Sequence, residues 1–304
     1  MKNLYLECNA GISGDMLVAA LLDLGADKDV LAKALKSIPA QGFTYNVSRV
    51  AKAGVDCCDF DVILDAEHEN HDHDMAFLHG NGDALVHEHH HEHEHEHHHD
   101  EEHCHEHEHC HHHEEHMHTP HEHHHHHEHR GLNEVISIIN AVEMTDKARA
   151  IALKIFDIIA EAEAKAHAVP KTEVHFHEVG AIDSIVDITA IAVCVDNLGV
   201  ENIIVPELCE GRGTVRCQHG VLPVPVPATA NIMQQYGLNV RLLPVQGEFV
   251  TPTGAAAVAA LKTSDELPQQ FKILAIGLGA GKRTYEHPSI LRAMLIEETQ
   301  KKTV

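Results

Sequence analysis

Apolar positions recur along the chain with two periods, and their alternation predicts its elements. Leu4–Leu6 read as a short first strand. Leu17, Ala20, Leu21 and Leu24 then recur at helical spacing, and Gly25 closes the helix. A second helix is predicted from Lys28 to about Ser37, with Pro39 just beyond. Phe43–Val50 and Cys58–Leu64 alternate apolar and polar around Gly54, as a strand pair does. After a long polar tract, Val135–Ala141 and Ala148–Ala168 read as helices, the second alanine-rich and stopped by Pro170. Val174–Glu178 reads as the end of a strand. The pattern breaks at Gly180 and resumes as a helix to about Leu198, with Gly199 past its end. Ile203–Val205 reads as a short strand. Pro223, Pro225 and Pro227 predict a stiff, extended segment within 221–230 that suits a pocket wall. Thr251 is a predicted N-cap, with Pro252 at the first helical position. Phe271–Ile276 reads as a strand that leads into Gly277–Arg283. Strands interspersed with helices predict an α/β chain with a mixed sheet and flanking helices, with α+β as the alternative.

Residues 67–129 break this pattern. They hold 29 of the 34 His and 18 Asp/Glu, with no Lys or Arg. Such a tract cannot bury a core and is expected to be disordered without metal. Imidazole and carboxylate together favour borderline divalent ions such as Ni²⁺, Cu²⁺ and Zn²⁺. Cys104 and Cys110 add thiols to it. The tract also accounts for most of the net charge of −25, since the remainder carries 29 acids against 22 bases. No Lys/Arg clustering suggests a nucleic-acid surface. No apolar run approaches the roughly 20 residues of a membrane span. The N-terminus lacks the apolar stretch of a signal peptide. The eight Cys are scattered without a CxxC pair, so a reduced, cytoplasmic chain is expected.

The densest candidate chemistry lies at 174–187. His175 and His177 share a face of the predicted strand, with Glu178 at the turn. Asp183 falls in the first helical turn and Asp187 one turn further on. Two imidazoles and up to three carboxylates form either a ligand set for Ni²⁺ or Zn²⁺ or an acid–base cluster. The plain alternative is a hydrogen-bonded turn with a capping Asp. Gly11, Ser13 and Gly14 form a strand-to-helix turn whose N–H groups suit phosphates, and Asp15 is placed to hold a metal bridging them. A tight capped turn is the plain alternative. Thr251, Thr253 and Gly254 make a second candidate anion site. Cys217 and His219 alternate with Gln218 and are candidates to face a ligand together. The run Gly277–Arg283 resembles a phosphate loop but misses the Walker pattern: Ile276 stands at the first Gly, and Arg283 follows Lys282 where Ser or Thr belongs. Lys282, Arg283, Arg212 and Arg216 remain candidate cations for phosphate, or plain surface charge.

Taken together, Glu7–Met16, His175–Asp187, Gly213–Ala230 and Thr251–Ala256 resemble the LarC nickel-insertion proteins. The resemblance covers nearly the whole chain outside the His tract. It implies a CTP-dependent cyclometallation of pyridinium-3,5-bisthiocarboxylic acid mononucleotide. Nickel ends bound by two sulfurs and a ring carbon, a C–H proton leaves, and CTP is split to CMP and pyrophosphate with Mg²⁺ or Mn²⁺. The product, the nickel-pincer nucleotide, serves the lactate racemase apoenzyme.

On this reading His175, His177 and Glu178 hold or deliver nickel, with Cys217 and His219 second in rank for nickel or proton transfer. Asp15, with Asp183 or Asp187, holds the nucleotide's metal. Gly11–Gly14 and Thr251–Gly254 take phosphates, with Lys282 as a cation. Residues 1–66 and 130–270 are expected to be the catalytic domain, 67–129 a metal-binding insert, and 271–304 the start of a C-terminal domain. A C-terminal LarC half is then an expected partner, and a homo-oligomer stays open. Two rival readings are a nickel store without chemistry and a metal-dependent, CTP-using nucleotidyltransferase.

Overall fold

Nine of the eleven residues of helix α1, Gly14–Leu24, are buried, leaving only Asp15 and Asp23 outside that set. A helix apolar nearly all round must be covered on every side, and the rest of the chain is built to do so. The computed structural model describes residues 2–65, Met75, Leu78, 130–176, 182–217 and 219–299. These belong to one unit, formed by 1–80 and 127–304. Met75 and Leu78 excepted, the His-rich tract 67–129 lies outside the described residues.

One side of α1 rests on a strand of the six-stranded sheet. That sheet comprises β1 (Asn3–Glu7), β2 (Phe43–Lys52), β3 (Val55–Leu64), β6 (Asn202–Ile204), β11 (Phe271–Ala280) and β12 (Ile290–Glu298). Its order is β2-β3-β11-β12-β1-β6. The sheet is mixed: β1 pairs β6 and β3 pairs β11 in parallel, and the other neighbours are antiparallel. Helix α1 packs across β11. A Cβ on Gly279 would lie 2.0 Å from the Met16 carbonyl oxygen, and one on Gly277 2.2 Å from that of Ala20. These glycines therefore admit a helix backbone onto the strand. The run that looks like a phosphate loop from sequence is, to Ala280, a continuation of the strand.

The other side of α1 meets α5 (Ile182–Leu198), eleven of whose seventeen residues are buried. Helix α2 (Lys28–Lys36) follows α1 through Asp27, whose carboxylate accepts from the N–H groups of Asp29 and Val30. Helix α3 (Leu132–Ala141) precedes α4 (Asp146–His167). Thr145 caps α4, its hydroxyl accepting from Ala148 N at 3.0 Å. Helices α6 (Pro227–Gln235) and α7 (Pro252–Leu261) pack on α4. An α/β layering of helices on a mixed sheet results, as the sequence pattern predicts. Among the described residues, no helix is long and apolar enough to cross a membrane.

Three two-stranded pieces sit beside this frame. Strand β4 (Arg130–Gly131) pairs β5 (His175–Phe176), β7 (Leu208–Arg212) pairs β10 (Val240–Gln246) in parallel, and β8 (Thr214–Cys217) forms a hairpin with β9 (Gly220–Pro223). The extended proline segment is shorter than predicted. Pro227 stands at the start of α6, where a missing N–H costs nothing. Strands β11 and β12, which begin at Phe271 and end at Glu298, occupy the middle of the main sheet.

Candidate functional site

The starts of α1 and α7 are tied into one structure. Ile12 N donates to Phe249 O at 2.9 Å, and Thr251 N donates to Ile12 O at 3.2 Å. A Cβ on Gly254 would lie 2.1 Å from Ile12 O, and one on Gly11, at φ +76°, would lie 2.0 Å from Phe249 O. Gly11 and Gly254 thus serve the contact between the two turns, and neither lines the cavity described below. Thr251 caps α7, its hydroxyl accepting from Gly254 N at 3.2 Å. Ser13 occupies the N-cap position of α1 without a capping bond. Its hydroxyl donates to Asp15 Oδ1 instead.

Buried Glu210 fixes this junction from behind. Its Oε1 accepts from Gly211 N at 2.7 Å, Phe249 N at 2.7 Å and Val250 N at 3.3 Å. Burial raises its carboxyl to about 7 even though these N–H groups pull it down. Arg283 pairs with Glu248 Oε2 at 2.5 Å, and Tyr285 OH donates to Glu248 O at 3.0 Å.

In front of the junction lies a cavity of about 520 Å³. Four helices present their first turns to it: α1 through Ser13, Gly14 and Asp15, α6 through Val226, Pro227 and Ala228, α7 through Thr251, Pro252 and Thr253, and α5 through Asp183 and Ser184. Helix starts carry unsatisfied N–H groups and the positive end of the dipole. Lys282, Arg283 and Arg216 add cationic side chains to the wall. Lys282 Nζ is held at 2.7 Å from Asp59 and 3.1 Å from Asp61. Burial acts to lower its pKa, but the two carboxylates outweigh it and leave it raised.

Asp187 stands one turn inside α5 and lines the same cavity. Its carboxylate occupies the space that a side chain on residue 14 would take: a Cβ there would be 2.3 Å from Asp187 Oδ2. Burial first, and then the charges of Asp15 and Asp183, push its carboxyl well above the usual carboxylate range. Asp187 Oδ1 and Asp15 Oδ2 are covered from solvent without a hydrogen-bond partner. Oxygen donors left in that state suit a hard divalent cation.

A second wall carries softer donors. Glu163 and His167 lie one turn apart at the end of α4, with His167 Nε2 at 3.5 Å from Glu163 Oε2. The His167 ring is 4.9 Å, centroid to centroid, from that of His219. The Cys217 sulfur lies 3.9 Å from His219 Nδ1. All four line the cavity. Burial raises Glu163 to about 7, while burial and the neighbouring His167 lower His219. Among the described residues, no three or more His, Cys, Asp and Glu side chains already converge to hold an ion.

The cavity therefore brings together Ser13, Gly14, Asp15, Asp183 and Asp187. It also gathers Thr251, Thr253, Lys282, Cys217 and His219, although these candidates are dispersed from residue 13 to residue 282. His177 and Glu178 lie outside the described residues, and His175 is placed only by its backbone, paired with Gly131. Sequence reasoning missed Glu163 and His167. Their i,i+4 spacing on a polar helix end looks like an ordinary exposed pair.

With this geometry in place, comparison with known proteins identifies the class. The chain belongs to the nickel insertion protein family, whose model matches residues 4–304. A protein of Alkaliphilus metalliredigens named pyridinium-3,5-bisthiocarboxylic acid mononucleotide nickel insertion protein is 46% identical over 306 residues, covering 100% of this chain and 63% of its own length. Proteins of the same name from Clostridium acetobutylicum and Geobacillus kaustophilus are 42% and 36% identical. They cover 98% and 99% of this chain, and 64% and 61% of their own lengths. The chain thus spans less than two thirds of the length of these curated relatives. No solved structure matches it.

Proposed function

We propose that this chain supplies the cavity in which nickel enters a pyridinium-3,5-bisthiocarboxylic acid mononucleotide. One observation carries the reading: four helix starts, three basic side chains and the carboxylates of Asp15, Asp183 and Asp187 converge on one cavity. The helix starts and basic groups take the phosphate of the mononucleotide. Asp15 and Asp187, whose covered oxygens have no hydrogen-bond partner, hold the Mg²⁺ or Mn²⁺ that accompanies phosphate chemistry, with Asp183 beside them. That ion, when bound, neutralises phosphate charge. Nickel is the substrate and not a resident metal.

The reaction is a cyclometallation driven by CTP, in a reduced cytoplasm, and its product is used by lactate racemase. Ring metallation releases a proton, which passes to a base of the cavity. The His tract concentrates nickel. Its two ends support that role. On one side Leu78 packs with Val215 and Val226 at the cavity wall. On the other Arg130 re-enters the fold paired with Phe176, next to His175.

The test is formation of the nickel-pincer nucleotide from precursor, Ni²⁺, Mg²⁺ and CTP, read by mass spectrometry. The chain, supplied with the expected C-terminal LarC half, should form it, and Asp187→Asn should reduce the rate by about 100-fold or more. Nickel binding without any product in the wild type would leave a nickel store. CTP turnover to pyrophosphate without metallated product would leave a nucleotidyltransferase.

A further inference from the structure

The cavity has two walls of different chemistry, and the second is not explained by phosphate binding. It carries one sulfur and two imidazoles on two separate elements: Cys217 and His219 on the β8–β9 hairpin, and His167 on the last turn of α4. We propose that Cys217, His219 and His167 form a transfer site for nickel within this cavity, with Glu163 as a positioning residue that orients the His167 ring. The inference rests on the nickel-insertion reading above and assigns the station from which the ion leaves.

Four observations support it. First, the donor types match the ion: thiolate and imidazole suit borderline metals, whereas carboxylates suit Mg²⁺ or Mn²⁺. Asp15, Asp183 and Asp187 lie on α1 and α5, apart from the elements that carry the sulfur and imidazoles, and Glu163 stands beside His167. Second, the spacing is close to that of a shared ion. Sulfur and ring nitrogen in Cys217 and His219 are 3.9 Å apart, and the His219 and His167 rings are neighbours at 4.9 Å. Third, Cys217 is half-buried, whereas the other described cysteines, Cys8, Cys57, Cys58, Cys194 and Cys209, are all buried. Fourth, three protein donors leave a coordination position open, as metal sites that exchange a ligand do. A substrate sulfur enters there, and the ion passes to it by ligand exchange.

The three donors do not yet converge. His167, in the last turn of α4, and His219, in the β8–β9 turn, are both exposed, so rotation about their side-chain torsions is open to them. Glu163 stands at 3.5 Å from His167 Nε2. A carboxylate on one ring nitrogen fixes the other as the ligand, which is how outer partners commonly orient metal-bound histidine.

The test separates this site from the tract. Full chain carrying Cys104→Ser and Cys110→Ser is titrated with Ni²⁺ alone, and the sulfur-to-nickel charge-transfer absorption is followed. Tract imidazoles and carboxylates contribute none of that band. We expect a band that saturates, is abolished by Cys217→Ser, and needs about 10-fold more nickel for half-saturation in His167→Gln or His219→Gln. Glu163→Gln should weaken binding less than His167→Gln. Circular dichroism should show each variant folded, since these side chains lie on the wall and not in the core. Absence of the band in the starting protein, or a band unchanged by both His variants, overturns the proposal. Product formation at the wild-type rate in Cys217→Ser would also overturn it while leaving the proposed function standing.

Discussion

Gly14 and Asp187 share one volume: the first residue of α1 lacks a side chain where the carboxylate of Asp187 sits. Elsewhere, Gly→Ala at a helix position stabilises by about 1 kcal/mol through propensity. Gly14→Ala should not. Its Cβ would lie 2.3 Å from Asp187 Oδ2, so the carboxylate must move. We expect an unchanged or lower melting temperature and at least a 10-fold loss of product formation. A stabilised, fully active Gly14→Ala protein would show that the carboxylate position does not matter.

Asp187→Asn should separate stability from function. In the metal-free protein, the Asp187 carboxylate is buried beside Asp15 and Asp183. Removing its charge relieves desolvation and repulsion, so melting in the presence of a chelator should occur at a higher temperature than wild type. Added Mg²⁺ should stabilise the wild type and have little effect on the variant. Calorimetry with and without Mg²⁺ checks both halves, and equal Mg²⁺ responses would count against the assignment.

Glu210 gives a pH dependence of stability. Its folded-state pKa of about 7 lies above the ordinary carboxylate value, so the folded state keeps a proton that the unfolded chain has released. The contribution is fully present below about pH 4.5 and is lost as pH rises to about 7, an effect on the order of 3 kcal/mol at most. Unfolding by urea, measured from pH 5 to 8 with a chelator, should show wild type losing more stability than Glu210→Gln over this window. Parallel curves would mean that Glu210 does not titrate there.

Much of the frame is legible in the sequence. The Thr251–Pro252 helix start, the Gly25 stop and the hairpin around Gly54 follow from local rules that the structure keeps. What misleads is the glycine run at 277–281. Glycines serve both a phosphate turn and a close helix–strand contact, and only the tertiary partner, α1, distinguishes them. The cavity is partly legible. Asp183 and Asp187 are close in sequence, but His167 and His219 meet across 52 residues, a contact that no periodicity carries.

That distinction is itself testable. If Gly279 serves α1, Gly279→Ala should cost stability, because its Cβ would lie 2.0 Å from Met16 O, backbone that cannot rotate away. Overpacking of this kind typically costs about 1–3 kcal/mol. A phosphate-loop role would instead leave melting unchanged and weaken phosphate binding. Thermal melting of the variant against wild type discriminates the two.

The most direct test of the account compares the nickel dependence of product formation in three forms of the full chain: wild type, a deletion of 81–126, and Asp187→Asn. The deletion leaves Leu78 and its packing on Val215 and Val226 in place. If the tract only concentrates nickel for chemistry done in the cavity, the deletion should raise the nickel needed for half-maximal rate. Its rate at saturating nickel should stay near wild type, because local concentration adds no chemistry. Asp187→Asn should lose about 100-fold or more in rate at every nickel concentration. A deletion that is inactive at saturating nickel while Asp187→Asn keeps the wild-type rate would contradict the account and move the chemistry out of the cavity into the tract.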